Sequence, residues 1–132
     1  MSRAGAANLS STYLRLKPDS SIEKLAAGNR FWERLAAGEL GDFRHEYLIA
    51  MHAFEDDWSL WEMHPNGDEV VCLVSGSISF VLDEEPRRRA VTMDRNGAFV
   101  VVPRGVWHTA KVIVPSQVLF ITAGEGTMHR PV

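Results

Sequence analysis

The sequence predicts an all-β domain, an antiparallel β-barrel or two-sheet sandwich, with a short helical segment near its N-terminus. Two observations carry this prediction. From residue 43 onward, apolar and polar residues alternate with the two-residue period of strands. Turn-forming residues interrupt the alternation at short intervals, as in Pro65-Asn66-Gly67 and Pro103-Arg104-Gly105. Many short strands separated by turns are typical of sandwiches and barrels.

The N-terminal part of the chain predicts one strand and one helical segment. Thr12–Leu16 alternates enough for a short strand. Ser20-Ser21-Ile22-Glu23 has the pattern of a capping box, in which the first and last side chains satisfy each other's backbone amides. A helical segment is therefore predicted over 20–38, interrupted at Gly28-Asn29 and ended by Gly38.

The remainder of the chain predicts a series of strands separated by turns. The predicted runs are 43–51, 58–63, 69–74, 78–82, 90–93, 98–102, 106–114 and 117–122. Val70–Val74 and Phe99–Val102 are apolar on both faces, so they need cover both inside and outside the barrel. The N-terminal helix is one candidate for the outer cover and a second subunit is the other. We therefore expect a homodimer, with Thr12–Leu16 as a candidate for pairing across subunits.

At 132 residues the chain is long enough for one domain with a single core. Within residues 1–132 we expect an arm over 1–18, the helical segment over 20–38, the barrel over 43–123 and a tail over 124–132. The tail has two interpretations: it frays in solvent, or His129-Arg130 covers the mouth of the barrel.

Composition and charge exclude several classes of function. A formal net charge of −3 gives no basic surface for nucleic acid. Arg87-Arg88-Arg89 follows Asp83-Glu84-Glu85 directly and is interpreted as a hairpin tip with self-neutralising charges. No apolar run approaches the roughly 20 residues of a membrane helix, and residues 1–11 lack the apolar core of a secretory signal. With Cys72 alone, no internal disulfide is possible, and we expect a cytoplasmic protein with no membrane partner.

Two short segments carry the residues with candidate chemistry. They are Glu62-x-His64-x4-Glu69-x6-Gly76 and Gly97-x5-Pro103-x-Gly105-x2-His108. Residues two apart on a strand point to the same face, so Glu62 and His64 project together. His108 can meet them from a partner strand. Two imidazoles with carboxylates suit Fe(II), Mn(II), Ni(II) or Zn(II) with coordination positions left open.

This spacing resembles the cupin superfamily, whose motifs read Gly-x5-His-x-His-x3,4-Glu-x6-Gly and Gly-x5-Pro-x-Gly-x2-His-x3-Asn. The second motif matches from Gly97 to His108, but Val112 stands at its final Asn position. In the first motif the leading Gly is Asp56 and the first His is Glu62. The resemblance covers about residues 43–123 and implies a double-stranded β-helix, a jelly-roll-like barrel.

The resemblance also implies one divalent transition metal (Fe, Mn, Ni or Zn) inside the barrel, held by His64, Glu69 and His108. Glu62 takes the place of a ligand imidazole. It is either a fourth ligand or a general base beside the metal, unless the site is degenerate and binds no metal. Arg104 is a candidate for contact with an anionic substrate, although a surface arginine is an equal alternative.

The favoured function is a metal-dependent enzyme, oxidoreductase or isomerase, that acts on a small organic substrate inside the barrel. Family sites of this type support dioxygenation, isomerisation, epimerisation and decarboxylation. The alternatives are a non-catalytic ligand-binding or sensor module, with or without metal, and a structural barrel that has lost the site. Because imidazoles must be deprotonated to bind a metal, affinity is expected to fall below about pH 6.

Overall fold

The computed structural model describes residues 5–28 and 30–132. Asn29, at the predicted interruption of the helix, and residues 1–4 of the predicted arm lie outside the described residues. More than half of the described residues lie in strands and only one short helix is present among them, in agreement with the predicted all-β class. The elements are β1 Thr12–Leu16, β2 Ile22–Ala26, α1 Phe31–Ala36, β3 Tyr47–Phe54, β4 Leu60–Met63, β5 Glu69–Glu84, β6 Arg87–Met93, β7 Phe99–Val102, β8 Trp107–Ala123 and β9 Met128–Pro131.

Two antiparallel sheets share the long strands β5 and β8, which have 16 and 17 residues. The first sheet has the order β2-β1-β3-β8-β5-β7, and the second has the order β9-β4-β8-β5-β6. In the first sheet Val70 of β5 lies opposite Ile121 of β8, whereas in the second Leu82 lies opposite His108. Each long strand therefore leaves one sheet and enters the other, which is the predicted jelly-roll-like architecture.

The passage between the sheets is a bend in β5 and β8. The register of the two strands shifts between Leu73 and Ile78. Gly76 has φ +98°, and a Cβ there would lie 2.4 Å from the carbonyl oxygen of Pro115. Only glycine fits this close crossing. The breaks predicted at Ser75-Gly76 and Pro115-Ser116 are therefore bulges inside continuous strands, because the backbone pairing resumes beyond them.

Between the two sheets lies an apolar core, to which β5 contributes most. Its buried residues are Val71, Leu73, Ile78, Phe80, Leu82, Met93, Val100, Val102, Ala110, Val118 and Phe120. A second cluster packs α1 and the 43–46 loop against the first sheet and consists of Tyr13, Phe31, Phe43, Leu48 and Ala50. The inward residues of both sheets alternate with outward ones, as the two-residue period predicts.

The helical segment predicted over 20–38 is wrong in its first half. Residues Ile22–Ala26 form β2, which pairs with β1 along its whole length. The connecting turn is organised by Asp19, whose Oδ1 accepts a hydrogen bond of 2.9 Å from the amide of Ser21, while Ser20 adopts φ +71°. Pairing with β1 thus outweighs the local capping pattern. Only Phe31–Ala36 is helical, and no described helix is long and apolar enough to cross a membrane.

Two further predictions about strands need correction. The strand predicted over 43–51 begins at Tyr47, because Phe43 and His45 have positive φ values of 56° and 59°. The predicted strand Thr12–Leu16 exists as β1, but it lies between β2 and β3 of its own chain. Its backbone is therefore paired on both sides and is not an edge for pairing across subunits.

Candidate metal centre

Four side chains converge inside the barrel, and their nearest nitrogen and oxygen atoms all lie within 4.8 Å of one another. We call them the His/Glu centre: Glu62, His64, Glu69 and His108. Glu62 lies on β4 opposite His108 of β8, and His64 directly follows β4. Glu69 begins β5 and comes from the first sheet. The structure thus brings together all four residues that the sequence proposed around the metal.

The contacts within the His/Glu centre are short. His64 Nε2 lies 2.8 Å from Glu62 Oε1 and 3.2 Å from Glu69 Oε2. His108 Nε2 lies 3.0 Å from Glu69 Oε1. The side chains of His64, Glu69 and His108 are at most 3% exposed, whereas that of Glu62 is 25% exposed. Glu62 therefore marks the side on which the centre opens toward solvent.

Hydrogen bonds on the far side of each imidazole fix its orientation. His64 Nδ1 lies 2.8 Å from Thr127 Oγ1, and this hydroxyl donates its own hydrogen to Gly124 O at 3.1 Å. The Nδ1 atom of His64 is therefore the donor to Thr127. His108 Nδ1 likewise donates to the carbonyl of Val106 at 3.2 Å. Both rings consequently turn Nε2 toward the centre, which is the arrangement that second partners impose on metal-ligating histidines.

Three atoms of the centre are buried without a hydrogen-bond partner: His64 Nε2, His108 Nε2 and Glu69 Oε1. The carboxylate oxygens lie 2.8–3.2 Å from these nitrogens, so either a proton on Nε2 or a cation between the atoms would join them. An unsatisfied buried polar atom costs about 1–3 kcal/mol, so three at one point need a compensating partner.

A divalent cation fits this set of donor atoms. Two ligand atoms that each lie about 2.1 Å from an ion and 90° apart are about 3.0 Å from each other. The observed separations of 2.8, 3.0 and 3.2 Å agree with that geometry. Two imidazoles and two carboxylates are also the donor types that suit first-row divalent metals. The residues present therefore fit the implied metal.

Without a cation, the same proximity shifts the pKa values of the centre. Burial opposes the charged form of His64, but the carboxylates of Glu62 and Glu69 outweigh burial and raise the pKa of His64 to about 9. Burial also opposes ionisation of both glutamates, yet contacts with histidines hold the pKa of Glu62 and of Glu69 below their usual range. A proton on His64 thus occupies the place that a cation would take.

A second layer of residues supports the centre, and sequence reasoning largely missed it. Thr122 Oγ1 donates to Glu69 Oε2 at 2.5 Å. His129 Nε2 lies 3.1 Å from Glu62 Oε2, and this contact raises the pKa of His129. Thr122 and Thr127 carry no motif signal, because only the strand register and the path of the chain after β8 bring them to the centre. The interpretation of residues 124–132 as a fraying tail is wrong, since β9 pairs with β4.

Arg104 was the candidate for contact with an anionic substrate, and its side chain makes no contact with the His/Glu centre. Its side chain is exposed on the turn before β8, and only its backbone amide is engaged, donating to Asp68 Oδ1 at 2.9 Å. Trp58, to which the sequence assigned no role, lies inside the barrel. Its ring centroid lies 6.1 Å from that of His108 and 5.6 Å from that of Phe80. Trp58 therefore forms part of an apolar wall beside the centre.

Comparison with known proteins bears on the fold. No protein-family model matches the chain, and no curated protein matches it. A variant of oxalate decarboxylase from Bacillus subtilis is similar at 20% identity and a TM-score of 0.54, covering 65% of this chain and 24% of that one. A conserved protein of unknown function from Streptococcus pyogenes is similar at 19% identity and a TM-score of 0.50, covering 60% and 65% of the two chains. The chain has the cupin fold.

A cupin-2 domain protein from Shewanella frigidimarina is also similar, at 21% identity and a TM-score of 0.49, over 57% of this chain and 68% of that one. The match to oxalate decarboxylase spans about a quarter of the length of that enzyme. At these identities the likeness shows the cupin fold alone, and the function has to be argued from the His/Glu centre.

Proposed function

We propose that this cupin barrel binds one divalent transition metal through His64, Glu69 and His108, with Glu62 as fourth ligand or adjacent base. We further propose that it is a metal-dependent enzyme acting on a small organic molecule. The observation that carries the proposal is the convergence of two buried imidazole nitrogens and two carboxylates on one point. Two carboxylates at a buried point are costly unless positive charge compensates them, and a divalent cation compensates both whereas a proton on His64 supplies one charge.

The charge of the centre favours a hard or borderline dication. Two carboxylates balance a dication, and two neutral imidazoles complete a set that suits Fe, Mn, Ni or Zn. Oxalate decarboxylase of Bacillus subtilis, which shares the fold, is described as having Mn(II) centres. In the present chain Glu62 replaces one neutral imidazole of the family motif, so the metal would carry less residual positive charge and attract anionic substrates less strongly.

The residues around the centre suggest how a substrate would be handled. A bound metal would act as a Lewis acid that polarises an oxygen atom of the substrate. Glu62 stands at the open side, where its carboxylate can accept a proton from a molecule entering from solvent. Trp58, Phe80 and Phe120 form the apolar wall that excludes water from the inner side.

A reloading experiment tests the enzymatic part of the proposal. Metal-free protein is loaded separately with Fe(II), Mn(II), Ni(II) or Zn(II), and each form is assayed for oxygen uptake and for conversion of small organic acids, ketones and phenols. We expect turnover with at least one metal and none in His108→Ala prepared in parallel. Metal uptake without turnover on any substrate class would replace the enzyme by the alternative, a ligand-binding or sensor module.

We also propose that the chain forms a homodimer through the outer surface of the first sheet. The strand registers place two neighbouring rows of apolar side chains on this surface, each running across the strands. The first row is Leu14, Ile49, Ile121, Val70 and Val101, and the second is Met51, Leu119, Cys72 and Phe99. We call these nine residues the apolar face. Phe99 and Val101 remain 65% and 47% exposed in the single chain.

A second copy is the occupant that matches the apolar face. The apolar face spans five strands and is about 19 Å wide. None of its nine residues is charged, so it offers no ion pair to a charged partner. An identical face covers it and is covered in the same contact, which is the self-complementary geometry of a two-fold dimer. Light scattering should show a dimer, and Leu119→Glu should give a monomer. Ile113→Glu, at an exposed apolar residue outside this face, should leave the dimer intact.

A further inference from the structure

The segment that follows β8 holds one ligand of the proposed metal site by its outer nitrogen. Thr127 lies just before β9, and its hydroxyl oxygen is 2.8 Å from His64 Nδ1. The same hydroxyl donates its hydrogen to Gly124 O at 3.1 Å. A hydroxyl has one hydrogen, so toward His64 the oxygen of Thr127 can only accept. This arrangement keeps the hydrogen of His64 on Nδ1 and leaves Nε2 facing Glu62 and Glu69.

The position of Thr127 is fixed by contacts on both sides. Asn66 Nδ2 donates to Glu125 O at 2.9 Å, which ties this segment to the turn after His64. Gly126 has φ +73°, a left-handed conformation that favours glycine, and a Cβ there would lie 3.1 Å from Asn66 Nδ2. On the other side β9 pairs with β4, where Met128 lies opposite Met63 and His129 opposite Glu62. Thr127 is thus held against the ligand-bearing strand.

We propose that Thr127 is a positioning residue of this chain, whose hydroxyl orients His64 and thereby tunes metal affinity. The inference rests on the proposed metal-binding function. Imidazole has two nitrogens and can rotate about its bond to Cβ, so an imidazole without an outer partner samples other orientations and tautomers. Partners of this kind typically contribute 10- to 100-fold to metal affinity in other proteins.

The alternative role for Thr127 is structural only. Its amide lies 3.4 Å from Gly124 O and its hydroxyl 3.1 Å from the same oxygen, so the side chain also closes the turn before β9. A purely structural threonine would alter stability when replaced but would leave His64 and its metal affinity unchanged. The experiment therefore needs a readout at His64 itself.

The test compares Thr127→Val, which keeps the shape and removes the hydroxyl, with Thr127→Ser, which keeps the hydroxyl. Thr92→Val serves as the matched control, because the Thr92 hydroxyl pairs only with Ser79 on the outside of the second sheet. Affinity for Mn(II), Co(II) and Zn(II) is measured by competition with a chelating dye. The slowly exchanging Nδ1–H proton of His64 is followed by NMR in the metal-free protein.

We expect Thr127→Val to lose the His64 Nδ1–H signal and to bind metal roughly 10- to 100-fold more weakly. Thr127→Ser should restore both properties, and Thr92→Val should change neither. Wild-type affinity in Thr127→Val would overturn the inference, whether or not the NMR signal is lost. If the wild type binds no metal, the proposed function fails, and the inference about metal affinity fails with it. The NMR signal then still reports whether Thr127 orients His64.

Discussion

The interior of the barrel has two regions, the apolar core and the His/Glu centre, and the same two strands build both. β5 begins with Glu69 and continues inward with Val71 and Leu73, while β8 presents His108 and then Ala110. All five residues are at most 1% exposed. The apolar members gain free energy by leaving water, whereas the polar members lose it unless they find a partner.

The apolar core stabilises the fold, whereas the His/Glu centre is a set of polar groups that the fold positions. In the core, every buried side chain finds apolar neighbours within the chain. In the centre, His64 Nε2 and His108 Nε2 face carboxylate oxygens and need a proton or a cation between them, whereas the outward atoms of the same side chains are hydrogen-bonded by Thr127, Val106 and Thr122. Buried polar groups that are held in a fixed orientation around one point, where only a proton or a cation can join them, are characteristic of a binding site.

The largest expected effect is on metal binding when a ligand is removed. His108→Ala should abolish stoichiometric metal, with a loss of affinity greater than roughly 100-fold, because only one of the two imidazoles of the His/Glu centre then remains. The variant should still fold because the apolar core is unchanged, although Glu69 loses its contact with His108 and the free energy of unfolding of the metal-free form should fall. The matched control is His52→Ala, a largely buried imidazole outside the centre whose pKa is lowered by burial. Equal metal content in His108→Ala and wild type would contradict the assignment.

The second effect concerns the apolar core. Ile78→Ala removes a fully buried side chain of β5 and should lower the free energy of unfolding by about 2–5 kcal/mol. The metal affinity of the folded fraction should stay within a few-fold of wild type, because Ile78 belongs to the core and not to the centre. Urea denaturation gives the stability and metal titration at low urea gives the affinity. A large loss of affinity would show that the two regions are not independent.

The third prediction concerns pH and metal affinity. Contacts with Glu62 and Glu69 raise the pKa of His64 to about 9, so a metal is expected to displace a proton from His64 at neutral pH. Apparent affinity should therefore rise about tenfold per pH unit from pH 7 to about 9 and then level off, a higher window than the pH 6 expected from an ordinary histidine. Competition titrations between pH 6 and 9.5 measure this slope. A flat profile above pH 7 would mean that the glutamates do not hold the proton on His64.

The raised pKa of His64 also affects the stability of the metal-free protein, which should fall, rather than rise, as the pH increases. The pKa of His64 is raised, so its stabilising contribution is fully present below the unfolded value near 6.5 and is lost as pH rises through about 9. Metal-free protein should consequently unfold at a lower temperature at pH 9.5 than at pH 7, while metal-loaded protein should not. Thermal scans of both forms, with His64→Ala as the control that lacks the effect, measure this difference.

The smallest expected effect is that of Glu62→Gln, which keeps the shape and removes the charge. If Glu62 is a ligand, metal affinity should fall about tenfold; if it is a base, metal should remain and turnover should drop. Glu62 is the most exposed member of the centre, which is why the expected loss is smaller than for His108. Unchanged affinity together with unchanged turnover would remove Glu62 from the site.

The sequence predicted the parts of this account that depend on local patterns. The two-residue period predicted the strands, and the spacing of Glu62, His64, Glu69 and His108 predicted which side chains would meet. It failed where non-local pairing decides. Residues Ile22–Ala26 follow a helix-capping pattern but pair with β1 as a strand. Strand β9 forms by pairing with β4, which is distant in the sequence.

The residues that orient the ligands could not be predicted from the sequence, because their positions also depend on non-local pairing. Thr122 and Thr127 stand far from the motifs in sequence, and nothing in their own neighbourhoods marks them. Thr122 reaches Glu69 because β8 lies beside β5 in the first sheet, and Thr127 reaches His64 because the chain turns back at Gly124–Gly126. The register of a long bent strand cannot be read from a single sequence, so the layer that orients the ligands emerges only from the fold.

The central claim, that the His/Glu centre holds one metal ion, is tested most directly by elemental analysis of the protein purified without a chelating tag. After dialysis, the wild type should contain one divalent first-row metal per chain, and reloading of metal-free protein should saturate at the same stoichiometry. His64→Ala and His108→Ala should contain none. If the wild type takes up no Fe, Mn, Co, Ni or Zn between pH 7 and 9.5, the centre is a metal-free histidine–carboxylate network and the account is wrong.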